Sequence, residues 1–270
     1  MALIDVRNVT VAYGTPPRPV LEGVGLVIEE GEFACVLGQT GCGKSTLLRL
    51  ILGSEKPVRG EVLVDGRIHH QPDRTRGYVP QKYSLFPDKT VLDNITFGPE
   101  VLEFSLASRM TPRFYHRRRE FRREAREYLR RLGLQESDGA KYPDELSGGM
   151  QQRVAIAQAL MTRPRILLMD EAFSALDPAT RRGMQELIRQ LWRETGATVL
   201  FVTHNTQEAL SLGTRVIVLA RENAAAPSRI ALDMPVPEPC EEDEVPRLVR
   251  RLERVATASS DPAAVGAGRS

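Results

Sequence analysis

Near the start of the chain, Gly38-Gln39-Thr40-Gly41-Cys42-Gly43-Lys44-Ser45 combines three glycines with a lysine and a hydroxyl. That combination suits a chain of phosphates. Gly38, Gly41 and Gly43 let the backbone curl without intruding side chains, so that N–H groups converge on anionic oxygens at a helix N-terminus. Lys44 adds a point charge to the same oxygens, and the Ser45 hydroxyl suits Mg²⁺. The loop as far as Thr46 is a candidate phosphate-binding element. Far downstream, the apolar run Ile166-Leu167-Leu168-Met169 ends in Asp170-Glu171. A buried strand of this kind delivers carboxylates to the C-terminal edge of a sheet, where ligands bind in such folds. Asp170 there would hold Mg²⁺ directly or through water, and Glu171 would polarise a water in line with a γ-phosphate. A third block, Leu146-Ser147-Gly148-Gly149-Met150-Gln151-Gln152-Arg153, reads locally as a helix start with Ser147 as N-cap.

The elements that must carry these residues follow from periodicity. Ile4 to Tyr13 alternates like a strand, and Glu32 to Leu37 is a short apolar run bounded by glycines, read as a buried strand feeding the loop. Ser45 to Leu52 is helical by composition and stops at Gly53. Glu61–Val64 and Arg67–His69 flank Asp65-Gly66 as a hairpin, and Arg76 to Pro80 is a short strand leading to Gln81. From Thr90 to Ala159 the pattern is helical, with Phe121, Ala125, Tyr128, Leu129 and Leu132 on one face. Alternation returns with strand Ile166–Met169, helix Arg181–Glu194, and strands Thr198–Thr203 and Arg215–Leu219, which predicts a mostly parallel sheet covered by helices. Beyond Arg221 the composition turns to Ala, Pro and acidic residues, too poor in apolar side chains for another domain. One amphipathic helix over Pro246–Val255, docked on the core, and disorder from Ala256 onward are expected there.

Bulk composition narrows the class. The chain has 270 residues, 41% of them hydrophobic, and a formal charge of +2 from 37 basic and 35 acidic side chains. That is enough for an ordinary core and too balanced to argue for a nucleic-acid partner. No apolar run approaches the roughly 18–20 residues of a membrane span, and the N-terminus lacks signal-peptide sections, which predicts a soluble, cytoplasmic chain. Cys35, Cys42 and Cys240 lack metal-ligand spacing and suit a reducing compartment; Cys35 reads as buried strand. His69 and His70 read as surface residues near a turn, with no metal pair evident.

The three chemical blocks, in this order, resemble the ATP-binding-cassette family over about Leu3 to Leu219. The resemblance implies an α/β fold: a P-loop NTPase core with a mostly parallel sheet, an antiparallel β subdomain and an inserted α-helical subdomain. Residues 1–88 would hold core and β subdomain, 89–160 the helical subdomain with the signature block, 161–222 the remaining core, and 223–270 a short, partly disordered tail. It further implies that Ser147, Gly148 and Gly149 meet the γ-phosphate held by an opposite subunit, so that ATP joins a homodimer through two composite sites. By the same likeness Tyr13 stacks on adenine, Gln81 touches Mg²⁺ or water and reports to the helical lobe, Asp177 crosses the dimer interface, and His204 contacts the γ-phosphate and orients Glu171. Ser45, Gln81 and Asp170 would be the metal-side residues. Ala172, Ser174 and Asn205 stand where the family commonly has proline, glycine and aspartate; none removes a reacting group, and they bear on loop stiffness near Glu171.

Such an ATPase moves something only through a partner, and the likeness is greatest to bacterial importers of the nitrate, sulfonate and taurine type. It implies a peripheral protein on the cytoplasmic face of the inner membrane, bound to permease subunits and served by a solute-binding protein. Tyr83-Ser84-Leu85-Phe86-Pro87 and Val91-Leu92-Asp93-Asn94-Ile95 are expected as an apolar surface for the permease, or else as packing within the lobe. Arg109 to Arg131 holds ten arginines against Glu120, Glu124 and Glu127, either a solvated face paired at i,i+4 or a surface beside anionic headgroups. Cys42 beside the phosphates suggests that thiol modification would block the nucleotide. An exporter ATPase, and a soluble cassette acting on nucleic acid or ribosomes, are the alternative readings.

Overall fold

The computed structural model describes residues 2–68, 71–82, 85–223, 225–237 and 244–257. In chain order the elements are β1 (Ala2–Tyr13), β2 (Arg18–Glu29), β3 (Phe33–Leu37), α1 (Lys44–Leu52), β4 (Arg59–Val64), β5 (Arg67–Ile68), β6 (Arg76–Val79), α2 (Val91–Glu103), α3 (Pro112–Arg131), α4 (Gly148–Met161), β7 (Ile166–Asp170), α5 (Pro178–Thr195), β8 (Thr198–Thr203), α6 (Thr206–Leu212), β9 (Arg215–Ala220), β10 (Arg229–Pro235) and α7 (Val245–Thr257). Short 3₁₀ turns lie at Ala107–Met110, Glu136–Ala140 and Pro143–Glu145. The chain forms two compact units, Met1–Asp73 with Gly196–Ser270, and Arg74–Thr195.

The first unit holds two sheets. One has the order β2-β1-β4-β5 and is antiparallel throughout. Ile4, Val6, Val9 and Val11 of β1 face its core, with register shifts that let the alternation skip a residue. The β4–β5 turn uses Asp65 and Gly66 at positive φ, 54° and 70°, as a tight hairpin requires. Strand β2 escapes the sequence reading because Gly23 and Gly25 break the alternation that Val24, Leu26 and Ile28 carry inward. In the second sheet β3 lies between β8 and β9, parallel to both, and β10 pairs antiparallel with β9. Every residue of β3 and β8 is buried, which is why both read as continuous apolar runs.

Beyond Arg221 the structure departs from the expected tail. Arg229–Pro235 is an edge strand, its alternation diluted by Asp233 and by proline at the strand end, where a missing N–H costs little. The amphipathic helix is present as α7, packed against α6, β9 and β10 through the buried Leu252. The expectation of disorder applies to Ala256, which is in α7, and otherwise falls on 258–270, outside the described residues apart from Thr257 at the helix end. His69, His70, Tyr83, Ser84 and Cys240 also lie outside them.

In the second unit β6 and β7 pair in parallel, Arg76 opposite Ile166 through Val79 opposite Met169. Helices α2, α3 and α4 pack together beside them, α3 burying Phe114, Phe121, Ala125 and Leu129. The apolar surface expected at the start of α2 is not a surface: Val91, Leu92 and Ile95 are buried within the lobe, where their helical spacing places them on the inward face. Phe86 and Pro87 remain exposed. Asn94, fully buried, fixes that segment by accepting from the Phe86 N–H at 2.7 Å and donating to the carbonyls of Phe86 at 3.1 Å and Lys89 at 3.0 Å.

The arginines of α3 are mostly engaged, in most cases with acids more distant than i,i+4. Arg117 reaches Glu103 at 3.0 Å and also Glu120; Arg118 bridges Asp93 and Glu100 at 3.0 and 3.1 Å; Arg122 joins Asp93. Arg126, Arg130 and Arg131 pair with Glu136, Glu127 and Glu194. Individually such half-exposed pairs contribute little, but together they tie α2 to α3. Because Asn94→Ala strands the part-buried Phe86 N–H and the Lys89 carbonyl, while the Phe86 carbonyl keeps its bond from the Lys89 N–H, it is expected to destabilise the chain by about 2 kcal/mol and lower Tm by roughly 4–8 °C in thermal unfolding. An unchanged Tm would contradict this reading of the segment.

Candidate nucleotide site

Strand β3 ends at Leu37 and the chain enters the glycine loop with no room for side chains at its base. A Cβ on Gly38 would lie 2.6 Å from both Cys42 Sγ and the Leu219 carbonyl oxygen. Gly43 caps α1 at φ 93°, and a Cβ there would meet Leu21 Cδ2 at 2.7 Å. The loop is therefore drawn tightly over the sheet, and α1 starts with its amides unopposed by any acidic residue in the first turn. Lys44 is buried, its Nζ donating to the carbonyls of Gly38 at 2.8 Å and Gln39 at 3.0 Å, so the ammonium is held inside the curl. Ser45 is half-buried, Thr46 buried and accepting from Arg49, and Thr40 and Gly41 are exposed.

His204 follows β8 and is exposed. Gly38, Gln39, Thr40 and His204 line one cavity of about 560 Å³, joined by Asn205 and by Glu253 of α7. Loop and histidine, 160 residues apart in sequence, are thus brought together because β3 and β8 are adjacent parallel strands ending at the same edge. Tyr13, at the end of β1, is partly exposed and donates its hydroxyl to Glu55 at 2.8 Å.

In the other unit β7 ends in the buried Asp170, toward which Tyr78 of β6 directs its hydroxyl at 3.5 Å. Glu171 follows at φ 45°, an uncommon backbone for a residue with a Cβ, and its carbonyl accepts from the Ser174 N–H at 3.0 Å. The Gln81 amide donates to Glu171 Oε2 at 2.9 Å, so these two predicted site residues do meet. Ser147 caps α4, accepting weakly from the Met150 N–H at 3.4 Å, while Gly148 and Gly149 form its first turn. Gln151 donates to the carbonyls of Pro143 and Leu146, and Arg153 to those of Leu132 and Gly133, which fixes the direction of the helix. Asp177 accepts from the Ala179 and Thr180 N–H groups at 3.1 Å; bonds from the Thr180 side chain and backbone hold its carboxyl below the ordinary aspartate range.

Residues 21–174 match the family model described as ABC transporter. The taurine import ATP-binding protein of Rhizobium johnstonii is 46% identical over 79% of this chain and 76% of its own length. The nitrate import ATP-binding protein of Synechococcus elongatus is 40% identical over 86% and 81%, and the bicarbonate transport ATP-binding protein of that species 38% over 89% and 83%. A solved dimeric ATP-binding cassette in a post-hydrolysis state, bound to ADP and Pi, superposes with a TM-score of 0.74 at 33% identity, covering 87% of this chain and 99% of that one. The chain belongs to the ABC transporter family. It is an ATPase of that family with the family's α/β fold.

The three departures from the family pattern are accommodated in this cassette. Ala172 is buried, Ser174 closes the turn on Glu171, and Asn205 N-caps α6 by accepting from the Glu208 N–H at 3.1 Å. The neighbourhood of His204 is completed by a buried hydrogen bond from Thr203 to Glu208 and by the Asn205 N–H donating to Thr203 at 3.0 Å. These contacts, and Tyr78, were not among the expected site residues. The pattern Asn205-Thr206-Gln207-Glu208 is a recognisable helix start and could have flagged the first two. Glu253 had no local signal.

Cys42 is a correction. Its side chain is buried against Gly38, and burial pushes the thiol above its ordinary value of 9.0 although Lys44 opposes the shift. The thiolate is the reactive form, so the group is poor in nucleophile below that pH and hard to reach. Maleimide labelling of Cys42 at pH 7 is expected to run roughly tenfold or more slower than with a free small thiol, and to go on rising with pH where a free thiol has levelled off. Rapid labelling at pH 7, lost in Cys42→Ala, would contradict that placement.

Proposed function

We propose that this cassette is the ATP-hydrolysing subunit of an importer for a small anionic or nitrogen- or sulfur-containing solute, working as a homodimer with ATP at two composite sites. The observation that carries the composite arrangement is the start of α4: Ser147 exposed at a helix N-terminus, followed by two glycines, with no acidic residue in the first turn. Such an end favours an anion. The relatives that import taurine and nitrate, and the dimeric cassette bound to ADP and Pi, support the same reading.

In this proposal residues 38–46 hold the phosphates, with Lys44 neutralising the γ-phosphate. Tyr13 stacks on adenine, and Ser147, Gly148, Gly149 and Asp177 serve the nucleotide of the opposite protomer. Glu171 orients the attacking water and accepts its proton, and its bond from Gln81 links that carboxylate to the segment leading into α2. His204 steadies the γ-phosphate from the rim of the loop cavity. Ser45, Gln81 and Asp170 would offer oxygen donors to Mg²⁺, an ion that usually keeps several waters and binds phosphate oxygens beside one or two carboxylates. When bound, it would neutralise charge on the phosphates.

The division into core (1–88, 161–222), helical subdomain (89–160) and tail (223–270) is part of the proposal, as is attachment to permease subunits at the cytoplasmic face of the membrane. No helix among the described residues is long and apolar enough to cross a bilayer; in this proposal the permease subunits provide the path. A solute-binding protein would deliver the cargo, and no nucleic acid is involved.

Glu171→Gln is expected to retain ATP and accumulate dimers by light scattering while turnover falls by a factor on the order of 10² or more. A variant that stays monomeric with ordinary turnover would refute the assignment.

A further inference from the structure

Six of the ten arginines between 109 and 131 are spent on carboxylates within the second unit; Arg113, Arg119 and Arg123 are exposed and form no ion pair among the described residues. Arg113 and Arg123 only influence Glu103 and Glu120 at longer range. Tyr115, Arg119 and Arg123 recur at four-residue spacing and so share one stripe of α3. Just ahead of that stripe, the 3₁₀ turn and its flanks carry large apolar side chains outward: Leu106 is 83% exposed, Met110 85% and Tyr115 58%. Three large apolar side chains this exposed within ten residues of chain take no part in packing the lobe and are available for an outside contact.

The turn is not loose. Phe104 and Phe114, one on each side of it, stack edge to face at 5.3 Å, and Thr111 caps α3 by accepting from the Phe114 N–H. Leu106 and Met110 are therefore held away from the lobe by a fixed base. Between 101 and 123 there are seven arginines and two acids, Glu103 and Glu120, both engaged by Arg117.

We infer that this tip of the helical lobe, Leu106, Met110 and Tyr115 with Arg113, Arg119 and Arg123, is a lipid-contact surface for an anionic bilayer. Protruding side chains with diffuse, unpaired positive charge suit headgroups and the acyl boundary, which need no matching groove. Charge complementarity selects anionic over neutral lipid, and each arginine near such a surface contributes roughly fivefold in partitioning. The contact deepens the transporter reading, because it would supply a second hold on the membrane beside the permease, yet it is measurable without one.

The test is flotation of the full chain, without permease, on vesicles of phosphatidylglycerol and phosphatidylethanolamine or of phosphatidylcholine alone, at low and high salt. Binding to the anionic vesicles only is expected, lowered by a factor on the order of 20 in Arg119→Gln/Arg123→Gln. Leu106→Ser/Met110→Ser should weaken it further from its high-salt residue, with ATPase activity in solution unchanged in both variants as the check on folding. Equal binding to both lipids, no binding, or variants that float like the parent would overturn the inference. Association seen only when permease is reconstituted, and indifferent to these substitutions, would overturn it in favour of a protein partner while leaving the transporter reading intact.

Discussion

A phosphate chain can be gripped by backbone amides only where side chains are kept out of the way, and that constraint governs the nucleotide-facing part of this chain. At Gly38 the loop passes so close to the Leu219 carbonyl and to Cys42 that even a methyl group has no room. Gly43 then turns the chain through a left-handed conformation into α1. The loop can lie this low because β3 beneath it is buried on both faces between β8 and β9. Those strands are continuous apolar runs for the same reason, and their common edge is what puts His204 beside the loop.

The second unit solves a different problem, the placing of carboxylates. Asp170 is buried at the end of β7, and Glu171 turns sharply away at a positive φ, from which its side chain accepts the bond from Gln81. A glutamate in that backbone region is strained by on the order of 1–3 kcal/mol, a cost common where the position of a reacting group matters more than stability. The helices carrying Ser147 are held by polar ties rather than apolar depth alone: Arg153 and Gln151 bind carbonyls of the turns before α4, and the arginines of α3 bind the acids of α2. Charge is thus used mostly inside the lobe, and only a minority of arginines is left facing outward.

Much of this was legible because the constraints are local. A glycine loop followed by lysine and serine, an apolar run ending in two acids, Asp65-Gly66 between short strands, and Gly53 after a helical run each act through their own backbone, so composition and spacing suffice. Where burial alone decides, the reading failed or was incomplete. Val91, Leu92 and Ile95 are apolar on a helix whether they face a partner or a core, and only the packing of α2 against α3 and α4 assigns them inward. Strand β2 was hidden by its glycines and β10 by its acidic and proline-rich surroundings.

The sequence by itself determined the chemistry: which groups can hold phosphates, which can carry a proton, and the order of strands and helices that present them. Tertiary structure decided accessibility and company. It sealed Cys42 against the loop, tied Gln81 to Glu171, brought Glu253 of α7 to the rim beside Gln39 and His204, and sorted the arginines of α3 into paired and outward-facing sets. The reason is physical: a residue's type and local spacing fix what it can bond, whereas burial, pKa and partner depend on atoms that arrive from distant parts of the chain.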